Sequence, residues 1–292
     1  MADEVCANCG KAAVDNIKLK KCACNLVKYC SVDCQKNHRS QHKKACKKRL
    51  AELRHDKLFT QPDESCYGEC PICCLPLSIE REKLLTNSCC SKWICDGCSY
   101  ANQLREIEQG LDQRCAYCRE PVPKTDQEEE NNVTKRAKAN DPVAIAELGN
   151  RCDHEGDYEG AFEYYTKAAG LGNMNAHHNL SVMYSEGQGV ERDLKKKIYH
   201  LEEAAIGGHP SARHNLGLQE MENRRIYRAM KHFIIAAKQG ENDSLRAVKT
   251  YFAHGFVSKE DYEATVREHQ AAVDATKSQP RDAAAAAFAL AK

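Results

Sequence analysis

The second half of the chain carries a recurring pattern of apolar and small residues. Ala144-x3-Leu148-Gly149 returns as Ala176-x3-Leu180-Ser181 and as Ala212-x3-Leu216-Gly217. Ala168-Ala169 returns as Ala204-Ala205 and Ala236-Ala237, and Gly172, Gly208 and Gly240 close the units, in steps of 36 and 32 residues. A period of this length predicts stacked helical hairpins. The small alanines let paired helices approach closely, and each glycine ends a second helix. A degenerate fourth unit runs from Asp243, with Ala271-Ala272 near its end. The pattern predicts an all-α hairpin solenoid over residues 141–277. A tail follows at 278–292, in which Ala283–Ala287 is a plain helix former or a frayed end.

The first 140 residues lack this period. Leu50, Leu53 and Leu58 fall on roughly one side of a helical segment from Lys47 to Leu58, which either packs into the first zone or couples it to the next. Pro121-Val122-Pro123 and the polar run Asp126-Gln127-Glu128-Glu129-Glu130-Asn131-Asn132 predict a solvated linker at 124–140. Nothing approaches the run of about 18 apolar residues that a membrane span needs. The start, Met1-Ala2-Asp3-Glu4-Val5-Cys6, is acidic and has no apolar leader region, so the chain is expected in the cytosol or nucleus.

Cysteine changes this picture most. The chain has 18 cysteines, and all but Cys152 lie between Cys6 and Cys118. Stable disulfides are rare in a reducing compartment, so clustered thiols there read as metal ligands rather than as a secreted disulfide scaffold. In the first zone, 1–60, Cys6-x2-Cys9, Cys22-x-Cys24, Cys30-x3-Cys34 and His42-x3-Cys46 supply eight ligands. In the second, 66–123, Cys70-x2-Cys73, Cys89-Cys90, Cys95-x2-Cys98 and Cys115-x2-Cys118 supply eight more. Zinc takes four such ligands in a closed tetrahedral site, and closed sites are structural. Four structural zinc ions are therefore expected. His42 and Cys46, four apart, share one face of a helix. His38 is a rival ligand to His42, and Cys66 and Cys74 are spare thiols.

Net charge is +1, so the molecule is not a polycation. The run Lys43, Lys44, Lys47, Lys48, Arg49 reads either as a nucleic-acid patch or nuclear signal, or as an offset to metal-bound thiolates; the second reading is preferred, and nucleic acid is not the expected partner. In the repeats, His177, His178 and His214 are expected to pack or line a groove rather than hold a ligand.

The first zone resembles a MYND-type zinc finger over about residues 6–46. The resemblance is carried by Tyr29-Cys30-x3-Cys34-Gln35 and His42-x3-Cys46. It implies one site from Cys6, Cys9, Cys30 and Cys34 and a second from Cys22, Cys24, His42 and Cys46. Cys22-x-Cys24 stands where the family usually has two intervening residues, which predicts a tighter knuckle. Arg39 stands where the family often has tryptophan. MYND fingers hold short proline-containing peptides partly through that aromatic and the neighbouring glutamine, here Gln35, so that binding mode is in question here.

The second zone resembles a RING-type finger over about residues 70–121, with Lys92 where a histidine ligand is common. This implies a cross-brace, with Cys70, Cys73, Cys95 and Cys98 on one zinc and Cys89, Cys90, Cys115 and Cys118 on the other. RING fingers commonly hold a ubiquitin-conjugating enzyme and need no nucleophile of their own. Ile72 stands where the family places an apolar contact to that enzyme, with Leu104 or Ile107 as further contacts. Arg119 stands where active members place a basic residue, and Pro121 matches the family's ending. In the repeats, Tyr184-x2-Gly187-x-Gly189-Val190-x2-Asp193 resembles a Sel-one-like repeat, a relative of the tetratricopeptide repeat. The three modules in this order resemble a family of single-celled algae such as diatoms. The resemblance implies small zinc-stabilised α+β modules followed by an adaptor solenoid. The function it implies is a RING-type ubiquitin ligase, with the repeats selecting substrate through their concave face and the MYND finger adding a protein contact. The alternative is a non-enzymatic zinc scaffold.

Overall fold

The computed structural model describes residues 5–13 and 18–290. The acidic start Met1–Glu4 and the last two positions of the expected tail lie outside the described residues. The chain divides into two compact units, Met1–Thr60 and Gln61–Lys292.

In the first unit, β1 (Lys20–Lys21) pairs antiparallel with β2 (Lys28–Tyr29), followed by the long helix α1 (Val32–Phe59). Ser31 starts α1 by accepting from the Cys34 amide at 3.1 Å, with Asp33 in the first turn where the helix dipole favours it. The Lys47–Leu58 segment is the second half of this one helix. Apart from Tyr29, the buried apolar cluster is made of cysteines: Cys6, Cys22 and Cys24, with Leu19 and Val27 against them. So little apolar surface cannot hold a fold without metal.

The second unit begins with the second cysteine module. Here β3 (Leu84–Thr86) pairs antiparallel with β4 (Trp93–Cys95), Leu84 opposite Cys95, and α2 (Asp96–Glu108) follows. Next come α3 (Asp126–Lys138) and four helical hairpins: α4 (Pro142–Glu155) with α5 (Tyr158–Gly170), α6 (Met174–Glu186) with α7 (Leu194–Ile206), α8 (Pro210–Glu222) with α9 (Ile226–Lys238), and α10 (Asn242–Ala253) with α11 (Lys259–Ala275). The last helix is α12 (Gln279–Leu290). Small modules with little strand followed by a helical repeat solenoid are the architecture expected from the sequence.

The alanine and glycine signature has a steric cause. Ala144, Ala161, Ala168, Ala176, Ala204, Ala212, Ala229 and Ala236 are buried. A Cβ added at Gly149 would meet the Tyr165 ring at 2.7 Å, and one at Gly217 would meet the Phe233 ring at 2.5 Å. In the middle hairpin, Ser181 stands at the equivalent first-helix position and Leu201 at the equivalent second-helix position. The larger small residue thus goes with the smaller large one. Gly217→Ala is expected to lower stability by about 1–3 kcal/mol through overpacking on Phe233, although alanine is the better helix former. Thermal unfolding followed by far-UV circular dichroism reads this, and an unchanged midpoint would show that the helices separate freely.

One expectation is corrected, and one choice between two readings is decided. The polar run at 124–140 is not a linker but α3. Thr125 accepts from the Glu128 amide at 3.2 Å while the Glu128 carboxylate accepts from the Lys124 amide at 2.8 Å. Val133 and Ala137 join the apolar core of the first hairpins. The tail is not frayed: α12 packs on α2, with Arg281 and Ala284 buried and the Phe288 ring edge-on to Tyr100 at 6.0 Å.

The repeats also hold the second module. Tyr67, Arg81 and Trp93 share a cavity of about 340 Å³ with Val143 and Asn150 of α4, His178 of α6 and Ser211 of α8. The Cys66 amide donates to the Gly208 carbonyl at 3.1 Å, and the Tyr67 and His209 rings lie 6.3 Å apart. The face made by the first helices, expected to be open to a partner, is therefore engaged by the chain's own module.

Candidate metal centres

Three of the four Cys-x2-Cys pairs are built in the same way, and the fourth, Cys95-x2-Cys98, opens α2, where the Cys98 amide donates to Cys95 Sγ at 3.4 Å. The amides of Gly10, Cys74 and Arg119 donate back to the carbonyls of Cys6, Cys70 and Cys115 at 2.9, 2.8 and 3.0 Å. All three donors sit at positive φ, +72°, +54° and +64°. That turn points two thiols and several amides to one side. Cys22-x-Cys24 is one residue shorter, and Asn25, at φ +58°, donates to the Cys22 carbonyl at 2.8 Å. The adjacent pair Cys89-Cys90 uses another variant: Ser91, at φ +53°, donates to Asn87, so Asn87 takes the place of a first cysteine.

Cys74, a spare thiol, is exposed and closes the first module knuckle. Its side chain gains nothing there, and the left-handed backbone costs about 1–2 kcal/mol. Cys74→Gly is expected to leave metal content unchanged and stability equal or higher by up to about 1 kcal/mol, as urea unfolding would show. Loss of a metal ion in that variant would make Cys74 a ligand.

The structure brings the sixteen expected side chains together in four groups. They are Cys6, Cys9, Cys30 and Cys34; Cys22, Cys24, His42 and Cys46; Cys70, Cys73, Cys95 and Cys98; and Cys89, Cys90, Cys115 and Cys118, with ligand atoms in each group within 4.8 Å of one another. Sulfur separations include 3.6 Å for Cys9–Cys30, 3.7 Å for Cys22–Cys46, and 3.9 Å for both Cys73–Cys95 and Cys90–Cys115. Thiolates at about 2.3 Å from a tetrahedral zinc lie about 3.8 Å apart. The donor sets and spacings are thus consistent with four zinc ions, and all 18 cysteines are free of disulfides.

Within each group the thiols ionise unequally. Some are held down as thiolates, while partners such as Cys30 and Cys95 are pushed up by the neighbouring thiols and by burial. A bound cation is what would let all four ionise together. The Cys95 thiol and nearby backbone amides hold Cys70 well below the ordinary thiol range, and the Cys30 amide does the same for Cys6. Cys66 joins no group, and burial pushes it up to about 12, which keeps it an inert thiol. His42 Nε2 lies 3.0 Å from Cys24 Sγ. His38 is set behind it, stacked on the His42 ring at 5.8 Å, with Nδ1 at 3.0 Å from the Tyr29 hydroxyl. It packs beside the His42 ring instead of joining the group, as a residue one turn away on the same helix face can.

Around the second module, Ile72, Leu104 and Ile107 are exposed. Arg119 is more engaged than its sequence position suggested. Its guanidinium donates to Asn102 Oδ1 at 2.7 Å and to the Glu106 carboxylate at 3.3 Å, and Glu106 is buried. In the first unit, Gln35, Arg39 and Lys43, Lys44, Lys47 and Lys48 lie exposed along α1, and Arg49 pairs with Glu52 at 3.1 Å. The repeat histidines pack: His177 and His200 meet through their Nδ1 atoms at 2.9 Å, His178 stacks on His209 at 4.6 Å, and His214 contacts Ser244 at 2.7 Å. Among the described residues, none of these joins a group of metal ligands.

Residues 6–46 match the MYND finger family. Residues 142–173, 175–209 and 210–241 each match the Sel1 repeat. A MYND finger and Sel1 repeats are thus both present in this chain. No curated protein matches it. Among solved structures it is similar to a Sel1 repeat protein from Oxalobacter formigenes, at 21% identity and a TM-score of 0.46, over 59% of this chain and 71% of that one. It is also similar to c5321, a protective antigen of uropathogenic Escherichia coli strains with an SLR fold, at 20% identity and a TM-score of 0.40, over 64% of this chain and 39% of that one. A zinc-binding module joined to Sel1 repeats is the composition of a protein-interaction scaffold. Among the described residues, no helix is long and apolar enough to cross a membrane.

Proposed function

We propose that the sixteen clustered side chains are structural zinc ligands, that residues 66–123 form a RING-type finger, and that the protein is a RING-type ubiquitin ligase. The observation that carries this reading is the interleaving of the second module's ligand groups. The first thiol pair joins the third, and the second joins the fourth, so two metal sites cross-brace one small fold. Ile72 stands exposed in the first knuckle, with Leu104 and Ile107 exposed on α2. In this reading the conjugating enzyme supplies the reactive thioester, and the finger supplies only a surface that holds it. The face of the first helices is engaged by the module, so substrate selection falls to the second helices. They carry the exposed Tyr158, Tyr164, Tyr199 and Tyr227, a residue type enriched at interface hot spots.

The test is ubiquitin chain formation by the zinc-loaded full chain with a panel of conjugating enzymes, with metal counted on the same sample. Ile72→Ala is the better probe, because Arg119→Ala would also strip a partner from buried Glu106. Chain formation is expected and should fall about tenfold or more in Ile72→Ala, the loss of one interface anchor. Four zinc ions with no activity across the panel would leave a non-enzymatic scaffold. One observation favours that second reading: Arg119 is bound within its own module, at Asn102 and Glu106, rather than free to grip a partner.

A further inference from the structure

Arg281 lies in the first turn of α12, far along the chain from the cysteine modules, yet its side chain is buried against one of them. Nη1 donates to the Pro76 and Thr276 carbonyls at 2.7 Å each, and Nη2 donates to the Leu75 carbonyl at 3.3 Å and approaches Cys73 Sγ at 3.4 Å. Its hydrogen-bond partners are three carbonyls and one sulfur, and none is a carboxylate. A buried guanidinium costs several kcal/mol unless a negative charge faces it. Two negative groups face it: the buried Asp96 carboxylate, which lines a cavity with it, and the thiolate group, the one its Nη2 approaches. Zinc with four thiolates carries a net charge of −2, and an N–H···S contact spreads that charge. The approach of the two helices is also specific. A Cβ at Gly97, between the ligands Cys95 and Cys98, would lie 2.6 Å from the Arg281 backbone nitrogen.

The other site of the module is tied from the opposite end of the array. Arg136 of α3 donates to Ser91 Oγ at 2.8 Å and to the Cys89 carbonyl at 3.4 Å, and is itself held by Asp141 at 2.8 Å. The helices that precede and follow the repeats thus each set an arginine on one ligand loop of the module.

We propose that Arg281 is an outer-sphere positioning residue of the Cys70, Cys73, Cys95 and Cys98 site, so that the C-terminal helix sets how firmly the module keeps that metal. This rests on the assignment of zinc to that group. Groups that orient or hydrogen-bond metal ligands typically change metal affinity about 10–100-fold. The array then acts in cis, as the clasp of its own zinc module.

The experiment follows zinc release from the full chain to a chromophoric chelator, with wild type compared with Arg281→Ala, Arg281→Met and Arg281→Lys. In Arg281→Ala one zinc of the four is expected to leave about tenfold or more faster. Arg281→Met keeps the length of the stem without its donors and should behave like alanine. Arg281→Lys keeps the charge but not the planar fork and should recover part of the difference. In the cobalt-substituted chain, the thiolate-to-metal charge-transfer band should shift in the alanine and methionine variants, a change that packing alone would not cause. Wild-type release and an unshifted band in Arg281→Met would overturn the proposal. A wild-type chain holding only two zinc ions, both in the first unit, would instead overturn the metal assignment beneath it.

Discussion

Removing zinc from the full chain is expected to unfold both cysteine modules while most of the helical signal survives. In the first unit the buried cluster consists of Cys6, Cys22 and Cys24 with Tyr29, and in the second module Cys70, Cys95 and Cys115 share the core with Leu77, Leu84 and Ile94. A structural zinc site contributes about 10–16 kcal/mol, as much as the whole stability of an ordinary domain. The core of the first hairpins, by contrast, contains Ile145, Tyr165, Leu180 and Met183 and no clustered cysteine. Trp93, the only tryptophan, reports on the second module. It lies in β4, with the Arg81 guanidinium 4.4 Å above its ring and Tyr67 edge-on at 5.8 Å. Excess chelator should move its emission to the red, with only a partial loss of far-UV ellipticity. Emission unmoved at full zinc removal would mean that the module folds without metal.

What was legible in the sequence was whatever local geometry imposes. A knuckle puts two cysteines at a fixed short spacing because its closing residue must turn left-handed, as Gly10, Cys74 and Arg119 do. A repeat must keep small residues wherever a partner helix brings an aromatic, as at Gly149 and Gly217. Which pair joins which was given by resemblance alone, because ligands as far apart as Cys73 and Cys95 have no local signal. The helix α3 and the packing of α12 on the module were missed for a related reason. Val133 and Ala137 are too few to make an apolar stripe, although the box Thr125-Asp126-Gln127-Glu128 does mark a helix start. Arg281 is one basic residue in an alanine-rich end, and its partner Cys73 lies 208 positions away.

These two helices change what the repeats are for. An array with a free inner face is an adaptor. Here α3 and α12 bracket the module from either side of the repeats, and α4, α6 and α8 line its contact. The module and the repeats belong to one compact unit, Gln61–Lys292. Loss of the module is therefore expected to loosen α3, α12 and the contact face of α4, α6 and α8, while the cores of the hairpins, which hold no clustered cysteine, keep their helices.

Acid is expected to destabilise this unit well before its carboxylates protonate. His209 and His232 are buried, and burial pushes each down to about 3, helped at His209 by stacked His178 and at His232 by Arg213 and Arg228. His209 is also committed to its neutral form, because Nδ1 accepts the Ala212 amide at 3.2 Å and so starts α8. Above about pH 6.5 both rings are neutral in the folded and unfolded chain, and stability is complete. As pH falls below that value the unfolded chain takes up protons and the folded one does not, until about pH 3. Each ring then removes about 1.4 kcal/mol per pH unit, so from pH 7 to pH 5 each costs about 2 kcal/mol and the pair about 4 kcal/mol. Urea unfolding by far-UV ellipticity at the two pH values measures the drop, with zinc content checked at each. His209→Asn retains a good helix cap, and His232→Leu retains an apolar filling. Each should lessen the drop between pH 7 and pH 5 by about 2 kcal/mol. His200, which burial pushes down to about 4, adds a loss of the same sign that neither variant removes. Because this compares two differences, any acid release of zinc cancels. A variant with the full wild-type drop would show that its histidine is already protonated in the folded array or reached by water.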